Sequence, residues 1–331
     1  MDQLLDLSFG LRADGNSYSA NMNNPLKQLS PRISASLRLT PGTSLNFNVG
    51  QFAQLPSYTT LGFTDYSKQL VNKNNGLTYI QVNHLVAGIE FRPSDNSQIT
   101  VEGFYKRYNH YPFSVNDSVS LASKGADYDV YGAEAVTSVS KGNAYGMEIL
   151  GRLKKYKGLS AVVTYTFVRS EFTDKKGEYI PSSWDNRHLL TITATRNFKK
   201  NWDLGLRWRY IGGAPYTPWD LNRSALKAAW DAKGMGYLDY SRFNKERLSA
   251  FHQLDLRVDK SWYYNNWSLM LYFDIQNAYN FKADSRDLLV RVEDAEGNPL
   301  TDPSNPNKYV LKTVESNLST VIPTFGIMIE F

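Results

Sequence analysis

The chain lacks cysteine altogether, has only 4 histidines in 331 residues, and contains no run of about 18 apolar residues. Without thiols, disulfide scaffolds, thiolate zinc sites and cysteine nucleophiles are excluded together, although an oxidising compartment permits disulfides without requiring them. The histidines, His84, His110, His188 and His252, show no ligand spacing such as His-x-x-x-His, so no metal and no other cofactor is expected. No Gly-x-Ser-x-Gly motif supplies a hydrolytic serine. Positive charge is in small excess, 37 Lys+Arg against 32 Asp+Glu, and it is spread along the chain, so a nucleic-acid partner is not expected. The missing apolar run excludes a transmembrane helix. It leaves open a transmembrane strand, whose alternating residues keep the average low, here a mean hydropathy of −0.44.

What is present is aromatic and periodic. Tyr, Phe and Trp number 22, 16 and 7. Residues 202–210 place Trp202, Leu204, Leu206, Trp208 and Tyr210 on one face, with Asp203, Gly205, Arg207 and Arg209 on the other. A helix would scatter this pattern around its axis, whereas a strand sorts it completely. The same alternation runs through Leu5–Leu11, Ile33–Leu39, Leu190–Ala194, Leu254–Val258 and Leu269–Ile275. About twelve such segments, each roughly ten residues long, fit strands that cross a bilayer at a tilt.

The connections alternate in length. Short turns are predicted at 40–43, 93–96, 155–158, 198–201 and 263–266, each with the Gly, Pro, Asn or Asp that hairpins need. Long polar segments fall near 54–81, 110–142, 172–186, 214–249 and 280–320, and the last is expected to hold local hairpins around Leu288–Val292 and Tyr309–Val314. Short turns at one end and long loops at the other describe an outer-membrane barrel. Trp202, Trp262 and Trp267 flank the short turns, and Phe167, Trp208, Tyr210 and Tyr279 lie toward the opposite strand ends, as two interfacial girdles require. A β-sandwich core is the competing explanation, but its strands rarely set so many charges against so regular an apolar face.

The C-terminal residues Thr324 to Phe331 are apolar at every second position and end in phenylalanine. They resemble the terminal strand that barrel-assembly machinery reads, with Phe331 as the signal. Further stretches carry a broader resemblance: Gly50–Pro56, His84–Phe91, Tyr145-Gly146-Met147-Glu148, Trp184-Asp185-Asn186-Arg187-His188, Gly212–Pro218, Phe251–Val258 and Asp274–Asn280. In order and spacing the chain resembles the C-terminal part of a TonB-dependent outer-membrane receptor of the kind common in Bacteroidetes. The resemblance implies an all-β, antiparallel transmembrane β-barrel in the Gram-negative outer membrane. Residues 1–331 would form part of a 22-strand barrel, its last twelve strands, with no plug, TonB-contacting segment or signal peptide visible. It implies TonB as a partner through the missing part, together with outer-membrane lipid, barrel-assembly machinery and a surface lipoprotein.

The inward face of such a barrel would carry Arg38, Glu90, Arg92, Glu102, Lys106 and Asp259. The candidate lumen-facing residues are Glu148, Arg152, Arg207, Arg209, Asp255, Arg257 and Asp274. Their mixed signs predict no anion- or cation-selective pore. Rings cluster in the long segments: Tyr58, Phe63 and Tyr66; Tyr111, Phe113, Tyr128 and Tyr131; Tyr216, Trp219, Trp230, Tyr237, Tyr240 and Phe243. Tyr58, Tyr216, Trp219, Trp230 and Tyr237 are the candidate ligand-binding residues, since exposed rings stack on sugars, peptides or siderophores; loop-to-loop packing is their plainer role. His188 is read either as a catalytic base oriented by Asp185 or as an anchor for its strand, and the anchor is favoured. The function expected is active nutrient uptake without catalysis, the ligand being a siderophore, a glycan or a peptide. The alternatives are a stand-alone twelve-stranded pore or surface hydrolase, and a secreted β-rich binding protein.

Overall fold

The computed structural model describes residues 4–125, 132–317 and 319–331. Twelve long strands follow one another in chain order: β1 (Leu5–Ala13), β2 (Leu29–Thr40), β3 (Thr43–Gln54), β4 (Ile80–Ser94), β5 (Ser97–Ser114), β6 (Val136–Tyr156), β7 (Leu159–Thr173), β8 (Arg187–Phe198), β9 (Trp202–Ile211), β10 (Phe251–Tyr263), β11 (Ser268–Gln276) and β12 (Ile322–Glu330). Each pairs antiparallel with its sequence neighbours in one sheet; a short strand, Tyr179–Pro181, adds to β7. β1 and β12 are its unpaired edges, so the sheet is open among the described residues.

The register sorts side chains as the alternation predicts. Leu206 faces Leu256, which faces Ile275; Phe273 faces Phe325; Leu37 faces Leu5 and Leu45. This apolar face is bare: Phe9 and Leu11 are 72% exposed and Ile327 is 61% exposed. No helix is long and apolar enough to cross a membrane among the described residues. A face this wide and apolar is stable against hydrocarbon, not against water.

Strand length departs from the expected ten residues. β5 has 18 residues and β6 has 21. At about 3.3 Å per residue, 18 residues span roughly 60 Å, which at a tilt of about 45° is still roughly 42 Å along the normal, more than the about 30 Å of a bilayer's apolar core. Both strands therefore run past the membrane, and the loop expected at 110–142 shrinks to the segment between Ser114 and Val136. A bulge near Tyr108–Tyr111, where His110 takes φ of 57°, bends β5 where it leaves the regular ladder.

Buried apolar packing lies among the loops instead of between two layers. Met22, Leu61, Leu77, Tyr79, Leu121 and Val136 form a closed cluster, with Tyr18, Ala53, Leu55 and Tyr111 packed against it. Three loops at the long-connection end contribute, those after β1, β3 and β5, so that end is a folded layer.

Candidate functional site

Two groups of residues stand out, one among the loops and one on the sheet face opposite the apolar one. The loop layer is tied by three buried polar side chains. Asn72, fully buried, donates to the carbonyls of Thr60 (2.7 Å) and Glu134 (2.9 Å) and accepts from the Val136 amide (2.8 Å). Asn244 donates to the carbonyls of Ser123 (2.7 Å) and Pro181 (2.9 Å), holding three loops at once.

Asp185 is the third and carries charge. Its carboxylate, with no exposed surface, accepts from Arg169 Nε at 3.1 Å, from the Ser170 amide at 2.8 Å and from Arg247. Arg247 also donates to the carbonyls of Asp185 (2.6 Å) and Gly213 (3.0 Å). The backbone is drawn in tightly here. A Cβ on Gly213 would lie 1.7 Å from the Leu248 carbonyl oxygen, and one on Gly212 would lie 2.2 Å from that of Asn186. Two of the sequence motifs, Trp184–His188 and Gly212–Pro218, thus form one structural joint.

The hydrogen bonds of His188 and Asp185 go to different partners. His188 Nδ1 shares a hydrogen bond with Tyr165 Oη at 2.9 Å, and Asp185 is committed to the two arginines. His252 does the same with Tyr279 at 2.7 Å. Both histidines thus bond a tyrosine hydroxyl near the start of a strand.

Lys124 lies between Asp117 (2.5 Å) and Glu134 (2.6 Å), and Glu134 also accepts from Ser114. Burial works to lower the ammonium's pKa, but the hydrogen bonds and charges of the two carboxylates outweigh it and raise it above the ordinary value of 10.5. Burial, then Asp117, raises the Tyr240 hydroxyl, which brings the 214–249 segment onto the same cluster. A raised lysine pKa contributes stability that is complete below the unfolded value and lost as pH rises through the folded one. Proteinase K cleavage near Asp117–Lys124 is expected to stay constant from neutral pH upward and to rise only above pH 10.5. In a Lys124→Met variant, cleavage should be fast at every pH.

The candidate ring residues divide. Tyr58 is 83% exposed. Tyr216, half-buried, sits in a two-residue strand opposite Glu246. Trp219 donates from Nε1 to the Asp287 carbonyl at 2.8 Å and lies under Arg286. Trp230 is 5% exposed, within reach of Arg291. Tyr237 donates to the Ala229 carbonyl at 3.0 Å between Arg223 and Lys233. Trp219 and Trp230 thus join the 214–249 and 280–320 segments, where Leu288–Arg291 pairs with Leu311–Val314, close to the hairpins expected there. Tyr128 and Tyr131 lie outside the described residues.

On the sheet, Glu148, Arg152, Arg207, Arg209, Asp255, Arg257 and Asp274 all stand on the face opposite the apolar one. Asp255 collects Arg207 (2.8 Å), Gln253 (2.5 Å) and the Asn277 amide (3.1 Å), with Arg209 at 3.5 Å. Arg257 pairs with Asp259 at 2.7 Å and stands across from Asp274. Glu148 stands directly across from Glu102, like charge against like. Phe331 is fully exposed just beyond β12. Sequence reasoning missed Asn72, Asn244, Arg169 and Arg247, since nothing local marks a residue whose main partners lie in other segments. Asp185 alone carried a signal, its place in Trp-Asp-Asn-Arg-His.

The profile of the family described as TonB dependent receptor-like, beta-barrel matches residues 2–278. No curated protein matches the chain. Among solved structures, it is similar to the ferripyoverdine receptor of the outer membrane of Pseudomonas aeruginosa: 14% identity, TM-score 0.53, covering 77% of this chain and 30% of that one. It is similar to the ferric-catecholate import receptor Fiu from K12 E. coli, at 12% identity and TM-score 0.53, over 97% of this chain and 41% of that one. The ferric yersiniabactin uptake receptor FyuA from Yersinia pestis is 12% identical with TM-score 0.53, over 92% and 38%. At these identities the likeness is one of fold, and the chain spans about a third of the first of these structures.

Proposed function

Because the chain belongs to the TonB-dependent receptor-like β-barrel family, we propose that it forms the ligand-facing wall of a transporter that takes up a nutrient by TonB-driven import, without catalysis. Such barrels are Gram-negative outer-membrane proteins, and the outer membrane is where this sheet sits. One observation carries the reading: twelve antiparallel strands with a bare apolar face, a knitted loop layer at one end, and two unpaired edges. Unpaired backbone groups in hydrocarbon cost several kcal/mol each, so the edges of β1 and β12 call for further strands. That favours residues 1–331 as part of a larger barrel over a twelve-stranded pore closed on itself.

In this reading Glu148, Arg152, Arg207, Arg209, Asp255, Arg257 and Asp274 line the lumen, and Tyr58 and Tyr216 are the rings free to meet a ligand. Trp219, Trp230 and Tyr237 hold the ligand surface in shape from behind. Phe331 is the assembly signal, and a surface lipoprotein is a further partner of the loop layer. The ferric-siderophore receptors among the structural neighbours make a ferric chelate the first ligand to try, with glycans and peptides next.

The test is uptake by cells carrying the intact protein, with and without a functional TonB. Uptake of the matching ligand should depend on TonB, and a Tyr58→Ala, Tyr216→Ala double variant should weaken ligand binding about tenfold, as losing two ring contacts entails. Uptake indifferent to TonB contradicts the proposal.

A further inference from the structure

We propose that the short-turn rim below β6 to β10 is a binding surface for anionic phospholipid headgroups of the periplasmic leaflet; this rests on the outer-membrane reading above. Three neighbouring hairpins bring Lys154, Lys155, Lys157, Lys199, Lys200 and Lys260 together along one rim, with Arg196 just above them. Successive turns are two strand spacings apart, about 10 Å. The six cations other than Lys260 are all exposed, and none of the seven forms an ion pair among the described residues. Asp203 and Asp259, on β9 and β10, point to the inner face, where Asp203 is held by Asn197 and Asp259 by Arg257, and Asp95 lies in the neighbouring β4–β5 turn beside Lys154.

The position of two of these cations selects lipid over a soluble partner. Arg196 stands between Leu159 and Leu204, and Lys260 between Trp202 and Leu271, so both lie on the apolar, lipid-facing side. That face of β8, β9, β10 and β11 carries no carboxylate. A cation there reaches polar surroundings only at the headgroup level, by extending along its stem. Lys260 does this: its ammonium lies 5.0 Å from the Trp262 ring and 5.7 Å from Trp202, and reaches the Lys200 carbonyl. Phe198, Trp202, Tyr263, Tyr264 and Trp267 are exposed beside it, an interfacial belt at the same level. A clustered basic strip at a membrane surface attracts anionic lipid, and salt weakens that attraction.

The experiment uses the intact protein in bilayers and reads tryptophan quenching by brominated phosphatidylglycerol against brominated phosphatidylcholine. Wild type should prefer phosphatidylglycerol by about fivefold at low salt, and the preference should fall toward one near 0.5 M salt. An Arg196→Gln, Lys199→Gln, Lys200→Gln, Lys260→Gln variant should lose the preference while phosphatidylcholine still quenches it. Equal quenching of wild type by both lipids, or a preference unchanged in the variant, overturns the proposal and leaves the strip to an acidic soluble partner. Quenching by neither lipid points instead to failure of the membrane placement and overturns both readings.

Discussion

An Asp185→Ala variant is expected to lose about 3–5 kcal/mol of stability, the largest effect of any single substitution in the loop layer. The carboxylate has no exposed surface and neutralises Arg169 and Arg247 while also accepting from the Ser170 amide. Its removal leaves Arg247 without a counter-charge and Arg169 with Glu171 alone, both largely buried beside a tightly packed backbone. Asp185→Asn keeps the shape but can satisfy only part of the donor set, so a smaller loss is expected. Because Arg247 belongs to the 214–249 segment and Arg169 to β7, the damage should spread to both. Heat-modifiability on gels reports closure of the barrel, and surface proteolysis reports the loops. Asp185→Ala should lower the temperature of the mobility shift and open the 214–249 segment to protease. A variant that withstands both as wild type does would show that the joint is incidental.

The second large effect concerns the apolar face. Leu256 lies near the middle of β10 between Leu206 and Ile275. An arginine there is expected to cost about 2–4 kcal/mol in a bilayer, the penalty for a cation at the midplane of a barrel's lipid face. Thr193, two strands away on the opposite face and opposite Arg207, is the control. Thr193→Arg should cost less than about 1 kcal/mol, since that face meets water. Folding titrations into vesicles measure both. Equal penalties would mean that the two faces meet the same solvent.

The strands were legible because alternation is a local property: nine residues from Trp202 to Tyr210 suffice to separate a ring-bearing face from a charged one. The short turns were legible for the same reason, and the structure turns the chain between Thr40 and Thr43, Ser94 and Ser97, Tyr156 and Leu159, Phe198 and Trp202, and Tyr263 and Ser268. The loop layer was not, because its order comes from long-range bonds. Asn244 meets Ser123 across 121 positions, and Asn72 meets Val136 across 64. Trp230, buried, likewise lies within reach of Arg291, which only the folded loops bring near. Polar, ring-rich segments therefore read as open capture loops when much of their aromatic content is internal mortar.

The most direct measurement is site-directed spin labelling of successive positions from Leu254 to Val258 in membranes, which the absence of native cysteine in this chain makes straightforward. The account predicts strict alternation: labels at 254, 256 and 258 accessible to oxygen dissolved in lipid, and labels at 255 and 257 accessible to a water-soluble relaxing agent. Uniform accessibility, or water contact at 256, would contradict the assignment of the apolar face to lipid.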